Sequence, residues 1–211
     1  MKKLKLFIAS LVISTAAFAQ FEGTLEFRME TKKDTTTNVY YVKGNNVKLD
    51  QIGRKSGKVE GSFVFDLGEK KIKFVNPARK VWGDHKSETP PAIKGTCEVT
   101  KGKGSKVVCG KKCVDYTVKN TDENTTITYW ISTDGYNFFS PLVQLWNRKD
   151  KQSVYFNQIK DLPKGSMPML SIETDLTSGA QVSKLEVIKV DKKAITAAQV
   201  EVPGDYKKFE Q

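Results

Sequence analysis

The stretch CEVTKGKGSKVVCGKKCVDYTVKNTDENTTITYWIS, residues 97–132, holds all three cysteines and the clearest run of long paired strands in the chain. Two strand-like segments, Lys106–Lys119 and Thr125–Ser132, flank the polar link Asn120–Asn124. A third segment, Ile93–Thr100, precedes them across Gly102 and Gly104, so the stretch reads as a three-strand meander. Along the middle strand Val108, Val114, Tyr116 and Val118 share one parity with Gly110, while Lys111, Asp115 and Thr117 take the other. Side chains alternate across a strand, so one face of this meander is apolar and the other wet.

The same alternation extends to both sides. Phe21–Thr31 places Phe21, Gly23, Leu25, Phe27 and Met29 on one face. After a polar turn at Lys32–Thr37, Asn38–Lys43 and Val47–Ile52 form a hairpin about Gly44–Asn46. Val59–Asp66 and Lys70–Val75 form another, in which Phe63, Phe65, Ile72 and Phe74 supply a second apolar patch. Lys80–Trp82 begins a short strand, and Gly83–Pro91 is a polar loop. Beyond the meander, Ser140-Pro141 reads as a cap followed by proline at the first helical position, with Leu142, Val143, Leu145 and Trp146 as an apolar stripe. This is the one convincing helix, since Ser153–Ile159, Met167–Leu176 and Gln181–Val190 all read as strands. The predicted fold is mainly β: a large curled antiparallel sheet with one short helix packed on it.

Met1–Ala19 reads as a secretory signal, with Lys2, Lys3 and Lys5 before the apolar run Leu6–Ala17 and the small-x-small site Ala17-Phe18-Ala19. Residues 20–211 then form a single β-rich domain without a transmembrane segment, expected in the periplasm or medium, and no cysteine stands at the cleavage site to carry a lipid. Removing the three signal lysines lowers the net charge from +11 to +8. Only Arg28, Arg54, Arg79 and Arg148 among the basic residues carry the planar fork that reads phosphates and bases, so nucleic acid is not an expected partner.

Catalytic chemistry finds little to stand on. His85 is the sole histidine and lies in a loop, Cys109 and Cys113 lack the second pair of a zinc site, and no phosphate-cradling glycine motif occurs. Met167 and Met169 alternate in a strand as core residues do. No catalytic, cofactor or metal residues are therefore expected, and the chain is read as a non-enzyme. The aromatic strands point instead to apolar binding, with Phe27, Met29, Phe63, Phe65, Phe74, Trp82, Trp130 and Tyr155 as candidates to line a groove or simply to fill the core. Two functions compete: a carrier for a lipid-like or other apolar ligand, and an envelope interaction protein that uses an exposed sheet edge and a basic face. Asp34-Thr35-Thr36 matches a short O-glycosylation pattern of exported bacterial proteins and makes Thr35 a candidate acceptor in a turn.

Export favours a disulfide among the cysteines. A hairpin turning at Lys103 sets Val99 opposite Val107 and Cys97 opposite Cys109, with Cβ atoms about 4.5 to 5.5 Å apart. Cys97 with Cys109 is the favoured pair. A bulge near Gly110 would bring Cys113 opposite Cys97 instead, and Cys109 with Cys113 needs a sharp bend.

Several short motifs together resemble a family of exported bacterial proteins of unknown function with a lipoprotein-carrier-like (LolA/LolB-like) fold. Gly110-Lys111-Lys112-Cys113-Val114-Asp115-Tyr116 resembles its G-x-K-C-x-x-Y, and Trp130-Ile131-Ser132 its W-[IV]-[ST]. Gly165-Ser166-Met167-Pro168-Met169 is similar to a G-F-P-L stretch with one residue inserted, and Val202-Pro203-Gly204-Asp205-Tyr206-Lys207-Lys208 to a terminal P-x-G-Y-K-K with Asp205 inserted. The resemblance implies an open half-barrel of antiparallel strands with a helix across its mouth and a concave apolar face for an acyl chain.

Overall fold

Two meanders grow outward from one central pair of strands. In the computed structural model, which describes residues 20–87 and 89–209, the first meander runs through β1 (Gly23–Thr31), β2 (Thr35–Lys43), β3 (Asn46–Ile52), β4 (Val59–Asp66), β5 (Lys71–Asn76) and β6 (Val81–His85). The second comprises β7 (Glu98–Val108), β8 (Lys111–Asn120), β9 (Thr125–Ser132), β10 (Met167–Asp175) and β11 (Gln181–Lys192). β11 pairs antiparallel with β1, setting Phe27 opposite Val187. A two-residue strand, β12 (Lys207–Lys208), then lies parallel to β6. The result is one open sheet of twelve strands in the order β12-β6-β5-β4-β3-β2-β1-β11-β10-β9-β8-β7. The connection from β9 to β10 carries two helices, α1 (Phe139–Trp146) and α2 (Lys151–Phe156). The signal reading of Met1–Ala19 lies outside the described residues.

Register assigns the faces. Phe27 shares a face with Asn38 and Val187, and through the neighbouring strands with Leu185, Ser171, Tyr129 and Tyr116 on one side. On the other side that face carries Tyr40, Leu49, Phe63 and Phe74. The helices cover this surface. Leu142 and Trp146, one turn apart on α1, are its buried residues and join a cluster with Phe21, Leu25, Phe27, Val47, Leu49 and Phe65. An eight-residue helix is marginal alone, so this packing is what holds it.

The first turn of α1 differs from the sequence reading. Its N-cap is Phe138, which offers no side-chain cap but is 1% exposed, so burial of its ring outweighs a capping hydroxyl at Ser140. Pro141 still falls within the first turn, where N–H groups have no intrahelical partner to lose. The predicted strand Ser153–Ile159 is also overturned, because residues 151–156 are helical. Asp150 accepts the Ser153 N–H at 3.0 Å as a cap, a contact that stabilises such ends by about 1 kcal/mol, and Gln152, Tyr155 and Phe156 form the buried stripe. Ser166 and Met167 enter β10 behind Gly165, whose backbone (φ +81°) presses on Gly135 so closely that a Cβ would lie 2.9 Å from the Gly135 Cα. That approach ties the α1 leader to the start of β10, with Tyr136 N–H bonded to the Gly165 carbonyl at 3.0 Å.

The meander of residues 97–132 has a different turn from the one its glycines suggest. β7 runs on through Gly102 and Gly104, and the chain reverses at Cys109-Gly110, both with positive φ (48° and 72°). Two successive left-handed residues are what a two-residue hairpin turn with the native strand twist needs. Gly102 and Gly104 are small because the Asp115 carboxylate fills the space their side chains would take, and it accepts the Gly104 N–H at 2.8 Å across a bulge between Lys101 and Ser105. Val99 therefore faces Val118 and Val107 faces Lys112, so the pairing that set Cys97 opposite Cys109 does not exist.

All three cysteines are free. Cys97 sits beside Asn120, whose side-chain amide approaches its sulfur at 3.7 Å, whereas Cys113 faces Lys106 seven residues back along β8. At about 3.3 Å per residue that separation is roughly 23 Å, far beyond the ~7 Å limit for a bridge. Cys113, fully buried, behaves as a small core residue whose thiol pKa burial pushes up. Peptide mapping without reductant is expected to show no crosslink from Cys97 to Cys109 or Cys113, and alkylation of the folded protein to spare Cys113. A Cys97 crosslink to either would contradict the register of β7 and β8.

Candidate functional site

Between the concave face and the helices lies a narrow cleft with a cavity volume of about 60 Å³. It is a slot rather than a bowl. Its floor is central: Leu25, Phe27 and Met29 of β1, Leu185 and Val187 of β11, and Tyr129 of β9. Its roof is Phe139, Leu142, Val143 and Trp146 of α1 with Phe156 of α2. Phe27 and Tyr40 stack on the floor with ring centroids 4.9 Å apart. Phe63 and Phe65 close one end by packing against Trp146 at 4.9 and 5.0 Å.

One wall is polar and comes from the α1–α2 connection. The Arg148 guanidinium lies 4.8 Å from the Trp146 ring centre while its Nε pairs with Asp150 at 2.9 Å. Burial pushes the Tyr40 hydroxyl pKa up to about 12, so this phenol stays protonated beside that pair. Gln152, 5% exposed, donates from Nε2 to Ser183 Oγ at 2.9 Å, and Ser183 donates on to Glu173 Oε2 at 2.7 Å. Tyr129 donates its hydroxyl to the Gln152 backbone carbonyl at 2.8 Å, which fixes α2 to the sheet beneath it.

The eight candidate apolar residues separate by face. Phe27 and Met29 line the cleft, and Phe63 and Phe65 lie on the same concave face against Trp146. Phe74 reaches further out and is 37% exposed. Trp130 has the opposite parity to Tyr129 and Ile131 and so lies on the convex side, with Lys106 5.6 Å from its ring centre, although it too packs against the main core cluster. Trp82 is likewise convex, with Lys73 and Lys208 at 4.9 and 5.2 Å. Tyr155 lies in a second cluster beneath α2 with Tyr116, Val118 and Ile127. Thr35 opens strand β2 opposite Glu30, half-buried, and so occupies a strand start rather than the predicted turn. Sequence reasoning missed Tyr40, Tyr129, Arg148 and Gln152; the spacing Gln152, Tyr155, Phe156, Ile159 behind Asp150 was the available signal for α2.

Residues 21–206 match the family described as a domain of unknown function (DUF4412). The chain belongs to this family. Both the family of unknown function and the open half-barrel sheet agree with what the sequence motifs imply. An uncharacterized conserved protein from Thermus thermophilus has a similar structure, with a TM-score of 0.52 at 9% identity over 90% of this chain and 91% of its own. So does a chain of the Pseudomonas aeruginosa MucA/MucB complex, with a TM-score of 0.53 at 11% identity over 90% of this chain, which spans 58% of that one. A LolA superfamily protein from Nitrosomonas europaea aligns over 88% of this chain and 91% of its own at 11% identity, with a TM-score of 0.36. No curated protein matches the sequence. At such identities the likeness is one of fold.

The family motifs are structural in this fold. Gly110 makes the β7–β8 turn, Cys113 fills the core and Asp115 holds the bulge. The terminal motif seals an edge: Lys207 N–H bonds to the Lys80 carbonyl at 3.1 Å, while the inserted Asp205 pairs with Lys80 and Lys208 with Asp84, at 2.8 and 2.6 Å.

The roof is anchored through one carboxylate. Glu123, in the β8–β9 turn, accepts the Tyr155 hydroxyl and the Lys94 N–H, with Lys151 nearby, and these contacts hold its pKa below the usual carboxylate range, Tyr155 contributing most. A depressed folded-state pKa means stability present above the unfolded value and lost as pH falls through the folded one. Glu123→Gln is expected to destabilise the protein at neutral pH, with the gap to wild type closing below about pH 4.5. Chemical denaturation of both proteins from pH 7 to pH 3 checks this, and a pH-independent gap would contradict it.

Proposed function

We propose that the protein is a non-catalytic carrier of the bacterial envelope that holds one lipid-like or other apolar chain in the slot between its concave sheet and α1. The observation that carries this reading is the slot itself: aromatic and aliphatic on floor and roof, polar along one wall, and covered by a short helix held chiefly by side-chain packing. Binding sites for apolar ligands have this composition, a mostly hydrophobic lining with a few placed polar groups. The narrowness of the slot means that a chain enters as α1 shifts outward, exchanging Leu142 and Trp146 contacts for ligand contacts of the same kind. Among the described residues no helix is long and apolar enough to cross a membrane. The signal-like N-terminus read from the sequence supports an exported location.

A second reading is an interaction protein. It is favoured by the free edge strand β7, where Val99 and Val107 are exposed among Lys101, Lys103 and Lys106, and by the complex in which the MucB-type relative was solved with MucA.

The two readings separate by experiment. An environment-sensitive apolar dye is expected to bind with one site per protein. Met29→Lys, at a half-buried position on the cleft floor, is expected to weaken it about tenfold or more because an ammonium would be desolvated there. Trp130→Ala, on the opposite face, is expected to leave affinity within about twofold. Fluorescence titration with parallel thermal unfolding measures both. No dye binding, together with no lipid in organic extracts of the native protein, would sink the carrier reading.

A further inference from the structure

The amide of Gln152 is held in one orientation by its neighbours. A carboxylate can only accept, so Ser183, which touches Glu173 Oε2 at 2.7 Å, spends its one proton there. Ser183 Oγ must then accept from Gln152 at 2.9 Å, which assigns the NH₂ to that side and leaves the carbonyl oxygen on the other. That oxygen, Oε1, is buried and meets no donor among the described residues, and Gln152, 5% exposed, forms part of the cleft wall. Tyr129, bonded to the Gln152 backbone carbonyl, keeps the residue from swinging away to find a partner. A desolvated carbonyl without a donor is destabilising, and a site that leaves one facing a binding cleft favours ligands that complete it.

We propose that Gln152 Oε1 is the acceptor for a hydrogen-bond donor on the bound ligand, so that the cleft selects apolar chains bearing a hydroxyl or an amide N–H over chains of equal length without one. This rests on the carrier reading and deepens it. The direction of selectivity follows from the Glu173–Ser183–Gln152 order: the chain of donors runs inward, toward the carboxylate, so an acceptor is what faces the ligand. Arg148 and Asp150 do not fill this role for each other's neighbour, since their charges are engaged at 2.9 Å and Arg148 lies over Trp146. A ligand carbonyl or ether oxygen set against Oε1 would place two acceptors face to face and be disfavoured.

Competition against the bound dye tests this with two matched pairs used below their micellar concentrations: N-methyldodecanamide against N,N-dimethyldodecanamide, and dodecan-1-ol against dodecyl methyl ether. Wild-type protein is expected to prefer the donor-bearing member of at least one pair by roughly five- to tenfold, the factor of one hydrogen bond, and the pair that discriminates identifies amide N–H or hydroxyl as the recognised group. In Gln152→Met, of similar length and without the acceptor, the preference is expected to vanish, with the donor-free members binding as well as or better than in wild type. Equal binding within both pairs by wild type overturns the proposal and leaves the carrier reading intact. Failure of all four compounds and of the dye to bind overturns both. Should Gln152→Met fold poorly, the wild-type comparison decides alone.

Discussion

The pairing of β1 with β11 is the constraint on which the rest depends. It joins residues about 160 positions apart, Phe27 against Val187 and Leu25 against Val190, and turns two separate meanders into one sheet. The first described strand thereby lies in the middle of the sheet. Leu25, Phe27 and Met29 become the floor of the cleft because β1 is central, and a bulge between Glu26 and Phe27 accommodates the curl there. Closing so long a loop carries an entropic cost, which the buried apolar ladder along this pair offsets.

An open sheet of twelve strands has two edges and one concave apolar surface to manage. The edges are treated unequally. β6 is capped by the two residues of β12, fixed by ion pairs that include Asp205, whereas the outer edge of β7 pairs with no strand among the described residues and is lysine-rich, a means of discouraging strand addition. The concave surface is covered by only two short helices. Their anchors are side chains rather than a long helical dipole: Trp146 between Phe63 and Phe65, Tyr155 on Glu123, and Tyr129 on the α2 backbone. A roof built this way is held by side-chain packing and a few hydrogen bonds rather than by the sheet ladder.

The polar wall illustrates why a buried network matters more than its few residues suggest. Glu173, Ser183 and Gln152 come from β10, β11 and α2, and each is buried. Two hydrogen bonds link the three side chains, while Gln152 Oε1 is buried without a partner among the described residues. In a core otherwise stabilised by apolar burial, such a chain specifies orientation as much as it adds stability.

Strand parity along β1, β4 and β9, the Gly44–Asn45 hairpin and the apolar stripe of α1 were legible in the residues because each is a local, short-period signal. Parity and aromatic content named eight residues together as groove or core candidates, and register separates them, with Phe27, Met29, Phe63 and Phe65 on the concave face. Trp130 and Trp82 could not be placed, since an amphipathic strand with an aromatic on its wet face reads the same until register says which face is covered. The turn at Cys109-Gly110 escaped for a related reason: Gly102 and Gly104 look like turn residues in isolation, and only the Asp115 carboxylate packed over them explains their size. Helix α2 was hidden by a run whose alternation mimics a strand. The sequence by itself determined the strands and the apolar character of one face. Tertiary structure decided which strands meet, where the cysteines lie and which buried polar atoms lack a partner, because those depend on contacts between residues that no local period connects.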